Sequence, residues 1–165
     1  MISQKLQEAF NAQIQAEFYS AYLYLGMSAD AERQNYKGAA AWLRTQHGEE
    51  LAHGYKLVQY LYDRGGRVQL KALDAPPAEF GPPARIFEAV LKHEQHVTAL
   101  IHKLYETAAA EKDLAAQVFL QWYVTEQVEE EASATVILER LRMAGDKPST
   151  VLYLDKELGK RAKGE

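Results

Sequence analysis

The sequence contains four stripes of apolar residues that recur every three or four positions, and polar or charged side chains interrupt each stripe at spacings that suit metal binding. Glu50 and His53 lie three positions apart, so on an α-helix both side chains occupy one face, one turn apart, and can bind the same cation. Comparable interruptions fall near the middle of three further stripes, at Glu17, at Glu94 and at the pair Gln127 and Glu130. A single Glu-x-x-His pair is common on solvated helices, but four coincident interruptions predict that these side chains meet inside a helix bundle.

Carboxylates that converge in a protein interior require compensating charge, because an ionised carboxylate taken out of water costs several kcal/mol. The four glutamates carry four negative charges, and two divalent cations would balance them while His53 stays neutral. The ligands on offer are carboxylates, one imidazole and an amide oxygen, without a thiolate. That set suits iron or manganese better than structural zinc. The sequence therefore predicts a buried dinuclear metal site.

A second group of carboxylates lies beside the first. Glu49 adjoins Glu50, and Glu126 and Glu129 lie three positions apart on one helix face. Like charges packed this closely repel one another unless they share a cation, which favours a third, weaker metal site next to the dinuclear one. A solvated acidic edge without a metal explains the same pattern, and both interpretations stay open at this point.

Tyr24 lies two turns after Glu17 on the same stripe. Its ring could be ordinary core with a hydroxyl that finds a buried partner. Alternatively, the side chain could supply an electron to a redox metal. Trp122 is a second, less supported candidate for that role.

The remaining histidines carry no functional interpretation. Glu94 occupies the core stripe of its segment, so we expect the neighbouring His93 and His96 to face outward. His47 and His102 are likewise unassigned.

Long helices are the elements that must position these residues. Four of the five prolines fall within the 18 residues from Gly66 to Pro83, and Ala, Leu, Glu, Gln and Lys dominate on either side, a composition typical of helices. Gly145 at a helix end and Pro148 at a helix start mark a short last helix. The sequence predicts helices at 3–33, 37–64, 84–111, 114–143 and 148–160.

The lengths of the connections predict the topology. A few residues join the first helix to the second and the third to the fourth, which favours two antiparallel hairpins. The connection at 66–83 reaches about 60 Å when extended, farther than the length of about 42 Å of a 28-residue helix. The prediction is an all-α four-helix bundle with one long crossover between helices 2 and 3 and a short C-terminal fifth helix, in a single domain over 1–165. In the fourth helix we expect the stripe to bury Ala134, Ile137 and Leu141.

Composition and charge exclude several classes of protein. The absence of cysteine excludes a disulfide scaffold, a thiolate zinc site, a cysteine-ligated iron–sulfur cluster and a cysteine nucleophile. A net charge of −4 lacks the basic excess of a nucleic-acid binder. The longest uncharged stretch near the N-terminus, Phe18 to Ala29, is too short to span a membrane, and no signal peptide is recognisable. We therefore expect a soluble, cytoplasmic protein with no nucleic-acid or membrane partner.

The motifs resemble those of the ferritins, and most closely those of the non-haem ferritins of bacteria and archaea. The similarity covers the whole chain, with its four long helices, one long crossover and a short fifth helix. Three stretches are typical of this family: Glu49-Glu50-Leu51-Ala52-His53, Gly65-Gly66-Arg67-Val68 and Leu120-Gln121-Trp122-Tyr123-Val124-Thr125-Glu126-Gln127-Val128-Glu129-Glu130-Glu131.

The resemblance implies an iron-storage protein that is also a ferroxidase. Such a protein oxidises Fe(II) to Fe(III) with O2 or peroxide and mineralises the product inside a hollow homo-oligomeric shell of 24 subunits. By this resemblance, a first iron is bound by Glu17, Glu50 and His53. A second iron is bound by Glu94 and Glu130, with Glu50 bridging and Gln127 alongside.

The same resemblance implies a third iron site and a redox role. The third site corresponds to Glu49, Glu126 and Glu129, with Glu130 shared. The position that matches Tyr24 takes part in oxidation.

Two departures distinguish the chain from the haem-binding bacterioferritins. Those proteins have a second Glu-x-x-His in the fourth helix, where this chain has Gln127-x-x-Glu130, so we expect an asymmetric site that holds one iron less tightly. They also bind haem through a methionine within the second-helix motif, where this chain has Leu51 and Ala52. Haem is therefore not expected.

Three other interpretations fit parts of the pattern. A mini-ferritin with a 12-subunit shell oxidises iron at a subunit interface, whereas all predicted ligands here lie in one chain. A rubrerythrin-like peroxidase would carry a cysteine-bearing rubredoxin segment, which is missing from this sequence. A metal-free structural or signalling bundle would leave the central carboxylates uncompensated.

Overall fold

Five α-helices form the regular structure of residues 1–161, which are the residues described by this computed structural model. The helices are α1 (Gln4–Arg33), α2 (Lys37–Asp63), α3 (Pro83–Ala110), α4 (Leu114–Ala144) and α5 (Pro148–Arg161). The predicted all-α bundle with one crossover and a short fifth helix is confirmed. The predicted domain also included residues 162–165, which lie outside the described residues. None of the described helices is long and apolar enough to span a membrane.

Local sequence signals mark where the helices begin and end. The Ser3 and Asp113 side chains cap α1 and α4 by accepting hydrogen bonds from the backbone N–H of Leu6 at 3.2 Å and of Ala116 at 2.9 Å. Gly145 ends α4 with a φ of +56°, in the left-handed region that glycine adopts without a steric penalty.

The short helix α5 packs against α2 and supplies its N-terminal cap. The residue before α2, Tyr36, makes no side-chain capping bond. Instead, the Asp155 carboxylate accepts hydrogen bonds from the N–H of Gly38 at 3.0 Å and of Ala39 at 2.8 Å. The backbones also approach closely, since a Cβ at Gly38 would lie 1.6 Å from the Asp155 carbonyl oxygen. These contacts fix α5 to the start of α2.

The four long helices bury two apolar clusters, one at each end of the bundle. The first combines the C-terminal parts of α1 and α4 with the N-terminal parts of α2 and α3, and includes Tyr24, Met27, Leu43, Phe87 and Leu138. The second combines the opposite ends of the same helices, and includes Phe10, Ile14, Leu57, Ile101 and Leu120. Because the start of α2 and the start of α3 meet in one cluster, these two helices are parallel, as the predicted crossover requires.

The crossover between α2 and α3 follows α1 and uses its polar side chains as partners. Asn11 donates to the carbonyl of Arg67 at 2.9 Å and accepts from the N–H of Gln69 at 2.7 Å. Farther along, Asp30 accepts a bond of 2.8 Å from the N–H of Phe80. These hydrogen bonds satisfy backbone N–H and C=O groups of a long segment that has no regular secondary structure of its own.

The buried stripe of α4 changes phase beyond its midpoint. Ala134 and Leu141 are buried as expected, but Leu138 is buried where Ile137 was expected, and Ile137 is only partly buried. An α-helix repeats every 3.6 residues, so a fixed alternation of three and four positions drifts away from the core along a straight helix. Ile137 instead lines a cavity together with Leu154 of α5.

Candidate metal centre

A layer of polar side chains separates the two apolar clusters. Each of the four long helices contributes to it near the middle of its length, and every member is more than nine-tenths buried. Its members include Glu17, Gln46, Glu50, His53, Glu94, Gln127 and Glu130. The structure therefore brings together at the centre of the bundle all the interruptions that the sequence placed in the four stripes.

The helices α1 and α2 supply the first group of donor atoms. Glu17, Glu50 and His53 each present one possible ligand atom, and these atoms lie within 4.8 Å of one another. Nδ1 of His53 is 3.5 Å from Oε2 of Glu50 and 3.9 Å from Oε2 of Glu17. Gln13 orients Glu17 by donating a bond of 2.8 Å to its Oε1. The three side chains can together bind one cation.

Glu94 of α3 is oriented by groups from α1 and α4. Tyr24 donates its hydroxyl hydrogen to Oε1 of Glu94, and Nε2 of Gln127 donates to Oε2 at 3.1 Å. The same Nε2 is 3.2 Å from Oγ1 of Thr98, which donates to Oε1 of Glu131 at 2.5 Å. Gln127 thus turns its NH2 group towards Glu94, and its amide oxygen reaches a metal only after the amide rotates. Glu131, which is not among the predicted ligands, lies at the end of this chain of hydrogen bonds.

Gln46 is a site residue that the sequence did not single out. Its Nε2 donates to Oε2 of Glu130 at 2.7 Å and to Oε1 of Glu50 at 3.3 Å, so it connects two of the central carboxylates. The signal was available in the sequence, because Gln46 is a polar residue on the α2 stripe one turn before Glu50.

A second group of donor atoms extends from the centre towards the surface. Possible ligand atoms of His53, Glu126 and Glu130 also lie within 4.8 Å of one another. Nε2 of His53 is 3.9 Å from Oε1 of Glu126, so the two nitrogen atoms of the ring face different carboxylates. Glu126 is only partly buried, which leaves this side of the layer accessible to ions from outside the core.

The residues of the predicted third site are only partly brought together. Glu126 belongs to the second group, whereas Glu129 is exposed and neither Glu129 nor Glu49 belongs to a group of donor atoms among the described residues. Glu49 has another partner, because its Oε2 accepts a hydrogen bond of 2.6 Å from Nη2 of Arg161 in α5. A third metal site at these residues stays a prediction.

Burial and mutual repulsion raise the proton affinity of the central carboxylates. Loss of hydration, followed by repulsion from neighbouring carboxylates, raises the pKa of Glu17 and of Glu50 well above the ordinary value. Burial likewise raises the pKa of Glu94. Burial and the nearby Glu94 raise the pKa of Glu130 to about 7. Without cations, the layer therefore keeps protons near neutral pH, and metal binding would displace them.

Aromatic side chains surround His53 on the side of α4. Tyr123 donates a bond of 2.7 Å to the His53 carbonyl, and the Trp122 ring stands edge-on to the imidazole with 5.2 Å between centroids. The Lys56 ammonium lies 3.2 Å from the Trp122 ring centroid. A positive charge over the indole opposes loss of an electron from it, which favours Tyr24 over Trp122 as an electron donor.

His93 does not face outward as expected. It is partly buried between α1 and α3, where its Nε2 is 2.8 Å from Oγ of Ser20 and its ring stands edge-on to Tyr24 at 6.0 Å. Burial, together with the nearby His96, lowers the pKa of His93 to about 4, so the ring is neutral near neutral pH. His96 and His102 are exposed.

Comparison with known proteins identifies the family of this chain. The family described as a ferritin-like domain matches residues 7–144. A bacterial non-heme ferritin from Bacteroides fragilis strain 638R is 45% identical over 161 residues, which cover 98% of this chain and 100% of that protein. The chain belongs to the non-haem ferritins. A bacterial non-heme ferritin from Staphylococcus aureus strain MRSA252 is 37% identical to this ferritin, over 98% of this chain and 97% of that protein.

Solved ferritin structures share the fold. An open pore ferritin from the hyperthermophilic archaeon Archaeoglobus fulgidus has a TM-score of 0.95 and 51% identity, covering 96% of this chain and 98% of that chain. A humanized archaeal ferritin has a TM-score of 0.95 and 49% identity, covering 96% of each chain. The family predicted from the sequence is confirmed, and membership places this ferritin among iron-storage proteins.

Proposed function

We propose that this ferritin oxidises Fe(II) at the central polar layer and stores the product as a ferric mineral inside a homo-oligomeric shell. The observation that carries the proposal is the convergence of four buried glutamates and His53 between two apolar clusters. A purely structural bundle would gain no stability from this arrangement, because each buried carboxylate is costly without a cation or a proton.

Two Fe(II) ions bind to the layer as substrates. Glu17 and His53 bind one ion, Glu94 and Glu130 bind the other, and Glu50 lies between them. The oxygen and nitrogen donors suit iron, and binding releases the protons that the raised pKa values retain. Gln127 joins the ligands when its amide rotates away from Glu94.

The oxidation step transfers one electron from each Fe(II). O2 accepts the two electrons with two protons and becomes hydrogen peroxide, or peroxide accepts them with two protons and becomes two molecules of water. The charge of the pair rises by two while the charge of the four carboxylates is unchanged. This excess favours departure of Fe(III) towards the interior of the shell, where hydrolysis forms the mineral.

In this proposal, Tyr24 takes the place of one Fe(II) as electron donor when a single Fe(II) occupies the layer, so that Fe(II) and Tyr24 supply one each of the two electrons that O2 accepts. Its hydroxyl donates to Oε1 of Glu94, so a proton acceptor is in place when the ring loses an electron. Burial, followed by the charge of Glu94, raises the pKa of Tyr24 well above the ordinary value, and the ring therefore holds its proton until that step.

The shell is proposed to contain 24 copies, each acting as one di-iron domain over residues 1–165. Similarity to solved ferritins over 96% of the chain supports this assembly. Large apolar side chains are also exposed on α1 and α2, as expected for faces that pack against another copy. They include Tyr22, Leu25, Tyr55 and Tyr62.

Stopped-flow absorbance of Fe(II) mixed with air-saturated buffer tests the proposed oxidation. We expect Glu50→Gln and His53→Ala to lower the initial rate by at least about 10- to 100-fold, because even the loss of a residue that only hydrogen-bonds to a metal ligand costs that much in affinity or activity. Glu139→Gln is the matched control, since Glu139 is exposed on α4 and should leave the rate unchanged. Wild-type initial rates in both site variants would overturn the proposal, and no iron uptake by the wild type would favour the metal-free bundle.

A further inference from the structure

We propose that Arg161 is a built-in counter-cation of the metal centre, which occupies Glu49 and must leave before a third metal ion can gain this carboxylate as a ligand. The inference rests on the proposed function, because it concerns the route of metal away from the dinuclear site. It assigns a positioning role to the end of α5, a helix that supplies none of the predicted ligands.

The guanidinium of Arg161 makes three contacts with α2. Nη2 donates to Oε2 of Glu49 at 2.6 Å, and Nη1 donates to Oε1 of Gln46 at 3.1 Å. The guanidinium carbon lies 4.7 Å from the centroid of the Trp42 ring. The planar fork of arginine thus reaches two polar partners and an aromatic face together, a set of contacts that lysine cannot reproduce.

The contact with Gln46 extends the influence of Arg161 into the buried layer. Because the Gln46 oxygen accepts from Arg161, its NH2 group faces Glu130 at 2.7 Å and Glu50 at 3.3 Å. Removing Arg161 frees this amide to rotate and to present its oxygen to the centre. Arg161 therefore controls Glu49 directly and the orientation of a neighbour of two predicted ligands indirectly.

The position of α5 allows the guanidinium to leave while the helix stays in place. The Asp155 cap and the close approach of Gly38 hold α5 against α2 independently of Arg161. The ion pair itself is accessible, with the side chains of Arg161 and Glu49 exposed by 36% and 42%. A pair this exposed is weakened by solvent screening, so a divalent cation can displace the guanidinium.

The consequence is a competition for one carboxylate. With Arg161 in place, Glu126 can share a cation with His53 and Glu130, while Glu49 is paired elsewhere. When the guanidinium leaves, Glu49 becomes available beside Glu50 for a further ion. Occupation of the third site and docking of the Arg161 side chain therefore oppose each other, and by linkage each weakens the other by the same factor.

Calorimetric titration of the assembled, metal-free protein with Zn2+ tests this competition without redox chemistry. We expect Arg161→Gln to raise the affinity for the third Zn2+ per subunit by about fivefold, near the upper end of what an exposed ion pair contributes, while two tighter Zn2+ ions still bind in each subunit. Arg161→Lys, which keeps the charge but loses the fork, should give a smaller increase. Arg140→Gln is the matched control, because Arg140 and Arg161 line the same cavity and the loss of either side chain removes one positive charge.

The variants separate this inference from the proposed function. Adding Glu49→Gln to Arg161→Gln should abolish the gain in affinity for the third Zn2+. An unchanged third affinity in Arg161→Gln, or an equal gain in Arg140→Gln, would overturn the role of Arg161 while leaving the dinuclear site intact. A wild type that binds no pair of tight Zn2+ ions per subunit would overturn both proposals.

Discussion

Burial raises the pKa of one residue of the central layer, Glu130. Its carboxyl has a pKa of about 7, raised from 4.5 by loss of hydration and by the nearby Glu94. A raised pKa in the folded state means that folding favours the protonated form. Glu130 therefore contributes to the free energy of unfolding. This contribution is complete at a pH below the pKa that the carboxyl has in the unfolded chain, and it is lost as the pH rises through the pKa that it has in the folded protein.

The first prediction concerns the stability of the metal-free protein. Relative to Glu130→Gln, the wild type should lose up to about 3 kcal/mol of unfolding free energy as the pH rises from about 4.5 to about 7. The comparison is made between variants because His93, whose pKa is lowered to about 4, acts in the opposite direction in both proteins. Urea unfolding at several pH values gives the difference. A difference that stays constant across this range would contradict the raised pKa of Glu130.

The second prediction concerns Tyr24. Tyr24→Phe removes the hydroxyl that donates to Glu94, and should lower the stability of the metal-free protein by about 1–2 kcal/mol. If Tyr24 donates an electron, freeze-quench electron paramagnetic resonance of the wild type mixed with Fe(II) and O2 should show a tyrosyl radical that this variant lacks.

Tyr123→Phe is the matched control for this prediction. Its hydroxyl is also buried but donates to the His53 carbonyl, which is not a proton acceptor of comparable strength. The radical should persist in the control. A radical of equal amplitude in Tyr24→Phe would assign the electron to another residue.

At the scale of elements, α5 stabilises the helix that carries Glu50 and His53. The first turn of α2 has unpaired N–H groups, and Asp155 accepts from two of them. A helix N-terminus also favours a negative charge nearby. The start of the helix that carries Glu50 and His53 thus depends on a segment more than a hundred positions away in the sequence.

The third prediction follows from this cap. Asp155→Ala should cost about 1 kcal/mol of stability, as is typical for loss of an N-cap. Hydrogen exchange measured by mass spectrometry should show faster exchange at the start of α2 and along α5, with the middle of α3 unaffected. Asp146→Ala removes the same charge from an exposed turn and should leave both segments protected. Equal protection in Asp155→Ala would contradict the capping role.

The periodicity of the sequence predicted the fold and the layer because both depend on local spacing. A carboxylate on an apolar stripe faces the interior whatever its partners are, so Glu17 and Glu94 could be placed from the stripe alone. The contacts of Arg161 with Glu49, and of His93 with Ser20, join residues 112 and 73 positions apart. Such contacts depend on how the helices are placed side by side, and the spacing of residues within one helix carries no information about that placement.

At the scale of the whole molecule, the proposed assembly would multiply a modest charge. The proposed shell of 24 chains, each with a net charge of −4, would carry a formal charge of −96 before metal binds. A field of this sign would attract Fe(II) to the particle and raise its local concentration.

The fourth prediction is that salt slows the delivery of iron. The initial rate of Fe(II) oxidation at low iron concentration should fall severalfold as the ionic strength rises from about 0.01 M to about 1 M, because the screening length shortens from about 30 Å to about 3 Å. Light scattering in the same buffers should show a constant particle mass, that of 24 chains. A rate independent of salt would mean that the net charge of the shell does not attract Fe(II).

Anomalous diffraction at the iron edge, from crystals soaked anaerobically in Fe(II), shows whether the buried layer binds a pair of iron ions. Two anomalous peaks per subunit are expected inside the bundle, one between Glu17, Glu50 and His53 and the other between Glu50, Glu94 and Glu130. Soaked crystals whose iron lies only on the surface, with no peak between the two apolar clusters, would contradict the binding of this pair.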